Sequence, residues 1–187
     1  MGKRGSFNLN LRPAIFFDRD GVLTIPINLN GKGYAPRSLE EFEYYNDAAE
    51  SLLRTHDAGF LNIVVSNQPD VSNGLLLKSV LESMNIKMLE DFKLDEVNNC
   101  QHISEENCHC RKPKPGMILS AAQRRGIDLR KSWMVGDRDG DMAAGSSSGL
   151  RTVFIDRNWS EESGSTAEFR CNSLTQAIDL ILGHAHS

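Results

Sequence analysis

The chain has 187 residues, a formal net charge of −4 at pH 7, and 40% hydrophobic and 25% charged side chains. That length suits one domain with a sizeable core, and the composition is that of an ordinary water-soluble protein. Dispersed Lys and Arg argue against nonspecific nucleic-acid binding, no apolar run approaches the roughly 20 residues of a membrane span, and polar residues 1–12 lack the apolar core of a secretory signal. The expectation is a single domain over 1–187, monomeric and cytoplasmic, with no nucleic-acid or membrane partner.

In chain order, Ala14-Ile15-Phe16-Phe17 is an apolar run closed by Asp18-Arg19-Asp20-Gly21, the pattern of a short strand buried on both faces. Residues 22–42 hold Pro26, Gly31, Gly33 and Pro36 without regular periodicity and read as a long loop draped over the strand end. An amphipathic helix is predicted over 47–58, with Ala48, Leu52 and Leu53 inward and Gly59 as its stop. A second buried strand at 60–65 ends in Ser66-Asn67-Gln68-Pro69. Helical spacing of Leu77, Leu81, Met84, Met88 and Phe92 marks 75–94. There follow a strand at 97–103, a helix at 116–125 closed by Gly126, and a strand at 133–135 running into Gly136-Asp137. A small-residue helix at 139–148, a strand at 152–155 and a helix at 174–182 complete the series. Strands alternating with helices predict a parallel sheet with helices on both faces.

Parallel strands bring their carboxyl ends to one edge, where open α/β folds bind ligands. Three strand ends carry polar groups, Asp18/Asp20, Ser66/Asn67 and Asp137/Asp141, and the basic segment Arg111-Lys112-Pro113-Lys114-Pro115 precedes the helix at 116. Side chains two apart on an extended chain face the same way, so Asp18 and Asp20 can converge while Arg19 points elsewhere. Convergent carboxylates favour a hard cation such as Mg²⁺. A hydroxyl, an amide and a lysine suit phosphate oxygens, and a carboxylate can attack phosphorus. Taken singly, each element has a plainer reading: solvated aspartates at a turn, a strand-to-loop turn at Ser66-Asn67, a solvated Lys112, and a helix cap at Asp137.

Cysteines cluster at Cys100, Cys108 and Cys110, with Cys171 remote and read as a core residue beside Phe169. With His102 they make a Cys₃His set, a preferred structural zinc arrangement, and thiolates select Zn²⁺ over Mg²⁺. His109 is an alternative fourth ligand, although its place between two ligating cysteines demands awkward geometry. Buried or solvated thiols without metal are the plainer reading.

The ordered combination resembles the four motifs of haloacid-dehalogenase-type (HAD) phosphatases: DxDGV at Asp18–Val22, (S/T)N at Ser66-Asn67, Lys112, and GDxxxD at Gly136–Asp141. The resemblance spans roughly 14–156. It implies a Rossmann-like three-layer αβα core with a parallel sheet, Asp18 as nucleophile and Asp20 as general acid and base. Asp18, Asp137 and the backbone carbonyl of Asp20 would hold Mg²⁺. Ser66, Asn67 and Lys112 would hold the phosphoryl group, and Asp141 would steady Lys112 or a metal-bound water. Asp rather than Asn at position 20 favours a phosphohydrolase over a receiver-like module that keeps its phosphoryl group.

Cys100 to Met117 is similar to the zinc-loop branch of that family, which contains heptose 1,7-bisphosphate 7-phosphatases and related histidinol phosphatases and lacks a large cap domain. Structural Zn²⁺ on Cys100, His102, Cys108 and Cys110 would then tie down a small loop, about 98–112, that presents Arg111 and Lys112. Arg111 suits a second phosphate because its planar fork binds one bidentately. The chain departs from the branch in reading Ser66-Asn67-Gln68-Pro69-Asp70 where the branch commonly reads TNQSG, and in a shorter zinc loop, a longer 22–42 segment, and Arg138 and Gly140 in the fourth motif. The resemblance implies a Mg²⁺-dependent phosphatase that takes the 7-phosphate from a heptose 1,7-bisphosphate, with histidinol phosphate or another small sugar phosphate as the alternative.

Overall fold

The computed structural model describes residues 11–159 and 162–185. Its strands are β1 (Ala14–Phe17), β2 (Ile27–Leu29), β3 (Lys32–Tyr34), β4 (Leu61–Asn67), β5 (Glu96–Cys100), β6 (Trp133–Gly136), β7 (Arg151–Ile155) and β8 (Phe169–Cys171). Its helices are α1 (Ala48–Asp57), α2 (Lys78–Asp91), α3 (Gly116–Arg125), α4 (Asp139–Ser147) and α5 (Leu174–Ala185). Six strands form one sheet in the order β5-β4-β1-β6-β7-β8, and every pairing is parallel. The chain runs outward from β1 through β4 to β5, then returns to the other flank of β1 through β6. The reversal falls at β1, the kind of crevice where doubly wound sheets bind ligands.

The two-residue alternation of β1 divides the core. Ile15 and Phe17 face α1, α2 and α5, joining Leu52, Leu81, Met84, Met88, Ile178 and Ile181. Ala14 and Phe16 face α3 and α4, joining Met117, Ile118, Ala121 and Met142. All four β1 side chains have no exposed surface, as an apolar run covered on both faces requires. The expected three-layer αβα core is therefore present, and among the described residues no large cap domain interrupts its elements. No helix among the described residues is long and apolar enough to cross a membrane.

Several local expectations differ. The 22–42 segment is not wholly irregular: β2 and β3 form a separate antiparallel hairpin, with Ile27 opposite Tyr34. Leu53, expected inward, is 44% exposed, because α1 turns only Ala48, Ser51, Leu52 and Thr55 to the core, and Leu77, counted in the helical spacing, is 70% exposed and precedes the first turn of α2. The strand expected to 103 stops at Cys100, where the chain enters the cysteine loop. Strand β8 was not anticipated; its last residue, Cys171, is buried as expected. Of the polar stretch at 1–12, residues 1–10 lie outside the described residues.

Candidate active site

Strand register assembles the site. Phe17 pairs with Val64 of β4 and Val135 of β6, so the next residue, Asp18, emerges at the carboxyl edge between both neighbours. Its backbone N–H donates to Val135 O at 2.9 Å. The turn that follows needs Gly21: its φ is +94°, and a Cβ there would lie 2.0 Å from Asp137 Oδ2. Only glycine lets the β1 turn close over the aspartate at the end of β6.

Carboxylates of Asp18, Asp137 and Asp141 converge, with one oxygen of each within 4.8 Å of the others. Buried Lys112 reaches them from the start of the α3 segment, its Nζ lying 2.9 Å from Asp18 Oδ1 and 2.5 Å from Asp141 Oδ1 while donating to Val65 O at 2.7 Å. Burial opposes the lysine's charge, but Asp141 and Asp18 outweigh it and raise the Lys112 pKa. Burial and the Asp18 charge push Asp141 up to about 7 against the pull of Lys112. Burial, then Asp18 and Asp141, push Asp137 well above the usual carboxylate range. Its Oδ1 is buried with no hydrogen-bond partner among the described residues. Three buried carboxylates facing one buried ammonium, with an orphaned oxygen among them, make a donor set that fits a hard divalent cation.

Asp20 departs from the expected geometry. Arg19 does not point away: it is fully buried and folds back so that Nε and Nη2 each donate to Asp20 at 2.9 Å. Thr24 Oγ1 and Gln68 Nε2 add donors at 2.8 and 2.7 Å. Asp20 lines the cleft, but its side chain lies outside the three-carboxylate cluster. Alternation alone missed this, because the chain leaves extended geometry at Asp18 and a long guanidinium can turn back on its neighbour.

The cleft has a volume of about 370 Å³ and is lined by Asp18, Asp20, Asn67, Arg111, Lys112 and Asp141 among the residues singled out by sequence. Asn67 works on the backbone of Lys112, accepting from its N–H at 3.1 Å and donating to its carbonyl at 2.9 Å. Ser66 is almost wholly buried, receives Gln68 Nε2 at 2.8 Å, and does not line the cleft. Hairpin residues Gly33 and Tyr34, with Ala35 just after them, also line the cleft. The extra segment is pinned there by Arg37, whose Nε donates to Asp70 Oδ2 at 2.7 Å. Sequence reasoning also missed Trp159, whose Nε1 donates to Asp137 Oδ2 at 2.5 Å.

The cysteine loop forms a second cluster. Cys100, His102, Cys108 and Cys110 offer ligand atoms within 4.8 Å of one another. The sulfurs are 3.2 to 3.6 Å apart, and His102 Nδ1 is 3.2 Å from Cys110 Sγ. A tetrahedral site with bonds of about 2.3 Å needs sulfurs slightly under 4 Å apart, so a small outward shift of the sulfurs is all that separates the two. Of the two histidines, it is His102 that joins the set. Arg111 is fastened to this loop, its N–H donating to Cys108 Sγ at 3.4 Å and its Nη1 to His102 O at 3.2 Å.

A parallel αβα sheet that gathers three carboxylates and a buried lysine at its carboxyl edge is the architecture of HAD-type hydrolases. Comparison with known proteins agrees. The family model described as HAD-hydrolase-like matches residues 109–177. A D-glycero-β-D-manno-heptose-1,7-bisphosphate 7-phosphatase of Helicobacter pylori strain J99 is 33% identical over 175 residues, 90% of this chain and 96% of the relative. Its counterpart in strain 26695 is 36% identical over 143 residues, 73% and 79% of the two chains. Among solved structures, the D,D-heptose 1,7-bisphosphate phosphatase of B. bronchiseptica, complexed with magnesium and phosphate, superposes with a TM-score of 0.76 at 23% identity, covering 92% of this chain and 99% of that one. This chain belongs to the HAD-type phosphatase family that includes these heptose bisphosphate phosphatases, and it is a phosphoric monoester hydrolase.

Proposed function

We propose that the chain is a Mg²⁺-dependent phosphatase that removes the 7-phosphate of D-glycero-D-manno-heptose 1,7-bisphosphate, acting as a single-domain cytoplasmic monomer. The observation that carries this reading is the buried chain of charge from Asp18 through Lys112 to Asp141, beside Asp137 at the sheet edge. Asp18 attacks phosphorus and becomes an aspartyl phosphate. Asp20 supplies the proton that the departing sugar oxygen takes up, then accepts one from the water that clears the intermediate. Lys112 offsets the charge that attack by an anion on a dianion builds up. Mg²⁺, held by Asp18, Asp137 and the Asp20 carbonyl, would supply further charge neutralisation. Ser66 and Asn67 belong to the phosphate end of the site; Asn67 acts through the Lys112 backbone, and Ser66 through Gln68.

Zn²⁺ on Cys100, His102, Cys108 and Cys110 has a structural role, and a reducing compartment keeps these thiols available to it. Arg111, at the rim between cleft and loop, receives the 1-phosphate. Heptose bisphosphate is the favoured substrate because relatives aligned over most of both chains carry that name.

The test is phosphate release with Mg²⁺ from the β- and α-anomers of the heptose bisphosphate, histidinol phosphate and fructose 1,6-bisphosphate, with Asp18→Asn as control. The expected result is at least a tenfold preference in kcat/KM for the β-heptose substrate, about 1.4 kcal/mol of transition-state discrimination, and no turnover by Asp18→Asn. Turnover by Asp18→Asn would overturn the nucleophile. A phosphoenzyme that accumulates without release from any substrate would replace the hydrolase reading with a receiver-like one.

A further inference from the structure

Asp137 is an odd carboxylate. It has no exposed surface, and its two oxygens are treated differently. Among the described residues Oδ1 has no partner, whereas Oδ2 receives the indole N–H of Trp159 at 2.5 Å and lies 3.8 Å from Arg138 Nε. A ligand oxygen left bare while its twin is held by a donor is the arrangement that aims a carboxylate at a cation, since the outer hydrogen bond fixes the plane of the group.

The donor does not belong to the sheet edge. Trp159 lies in the connection after β7, whose Arg157 also donates to Gly21 O at 2.7 Å. The indole is seated from the other side by the hairpin. A Cβ at Gly33 would meet Trp159 Cζ2 at 2.9 Å and Cε2 at 3.1 Å, closer than a side chain tolerates. Arg138 closes the ring: its Nη2 donates to Gly33 O at 2.6 Å, and its guanidinium carbon sits 5.8 Å from the indole centroid. Gly33 thus touches both groups that touch Asp137, and it also lines the cleft.

We propose that Trp159 is a positioning residue for the metal ligand Asp137, and that the β2–β3 hairpin sets metal affinity by seating the indole through Gly33. The proposal rests on the reading of the site as a Mg²⁺ centre. Its consequence is that the wall facing the substrate and the hold on the cation are one coupled unit, so whatever moves the hairpin changes metal affinity, and the reverse.

Mn²⁺ stands in for Mg²⁺ as the probe, with free Mn²⁺ counted by electron paramagnetic resonance on the full chain. Trp159→Phe keeps an aromatic ring against Gly33 but removes the N–H. It should weaken Mn²⁺ binding by about tenfold or more, the usual loss when a partner of a metal ligand is removed. Turnover should recover when Mg²⁺ is raised to saturation, with zinc content unchanged. A residue that merely packed would show none of this. Gly33→Ala leaves indole and carboxylate chemically intact, displaces the ring, and should weaken Mn²⁺ binding in the same direction. A Trp159→Phe dissociation constant within twofold of wild type would overturn the positioning role; a Gly33→Ala value within twofold would overturn the coupling to the hairpin. Failure of the wild-type chain itself to bind Mn²⁺ would overturn the metal-centre reading beneath both.

Discussion

Asp20, the residue proposed to give and then take a proton, is held more firmly than position alone would need. Arg19 grips both of its oxygens, Thr24 and Gln68 each hold one, and Arg19 itself is buried beside Met84 with its guanidinium 5.4 Å from the Phe42 ring centroid. A two-pronged guanidinium fixes the carboxylate plane, which a single ammonium cannot do. Arg19→Lys should therefore fold, lose about 1–2 kcal/mol of stability in urea unfolding, and drop kcat by ten- to a hundredfold through misplacement of Asp20. Arg19→Met removes the buried charge beneath Asp20 and should cost about 3 kcal/mol or more. Urea midpoints for Arg19→Met that match wild type would show that the pair carries no structural load. The sequence made Asp18, Asp137 and Asp141 readable because each follows a buried strand or lies in the first turn of a helix, and Lys112 because it stands in a basic segment before one. It hid Arg19, Gln68 and Trp159, whose roles come from side-chain reach across the turn rather than from spacing.

Elements with strong periodicity were legible and short ones were not. Four buried residues sufficed to mark β1, and α2 showed its inward Leu81, Met84 and Met88. Strands β2, β3 and β8 have three residues each, too few to display a period of two. A signal for the hairpin was nevertheless present: Asn30-Gly31, both with positive φ, is the residue pair that two-residue hairpin turns favour. The start of α3 shows how one element disciplines another. A Cβ at Gly116 would fall 2.2 Å from the carbonyl oxygen of His109 and 3.1 Å from Cys110 Cα, so the first turn of α3 buttresses the cysteine loop by direct backbone contact. Gly116→Ala must push that loop aside. Expected are a loss of about 1–3 kcal/mol from overpacking and faster zinc loss to a chromogenic chelator. An unchanged release rate would mean that the loop accommodates the methyl without disturbing its ligands.

Across the whole molecule, the sheet edge holds the groups proposed to react, and the hairpin and the cysteine loop hold whatever extends beyond them. The two parts meet where Asn67, the last residue of β4, pairs with Cys100, the last residue of β5, and where Gln68 N–H donates to Cys100 O at 2.7 Å. This juxtaposition makes Lys112 and Arg111 unequal despite their adjacency. Lys112 is fixed independently of the cysteine loop by Val65 O, Asn67, Asp18 and Asp141. The polar contacts of Arg111 run to the loop itself, to Cys108 and His102. Loosening the loop should therefore leave phosphoryl transfer nearly intact while freeing the group proposed to read the second phosphate. Stripping zinc with a zinc-selective chelator, with Mg²⁺ kept saturating, should raise KM for the heptose bisphosphate by about tenfold, the loss of one charge-assisted contact of roughly 1.4 kcal/mol. It should leave kcat within a few-fold and scarcely move KM for the 7-monophosphate. Arg111→Ala should reproduce that pattern with zinc still bound, since it removes the same contact at its other end. Equal losses on bisphosphate and monophosphate would assign the loop to general stability and leave recognition of the second phosphate to groups elsewhere in the cleft.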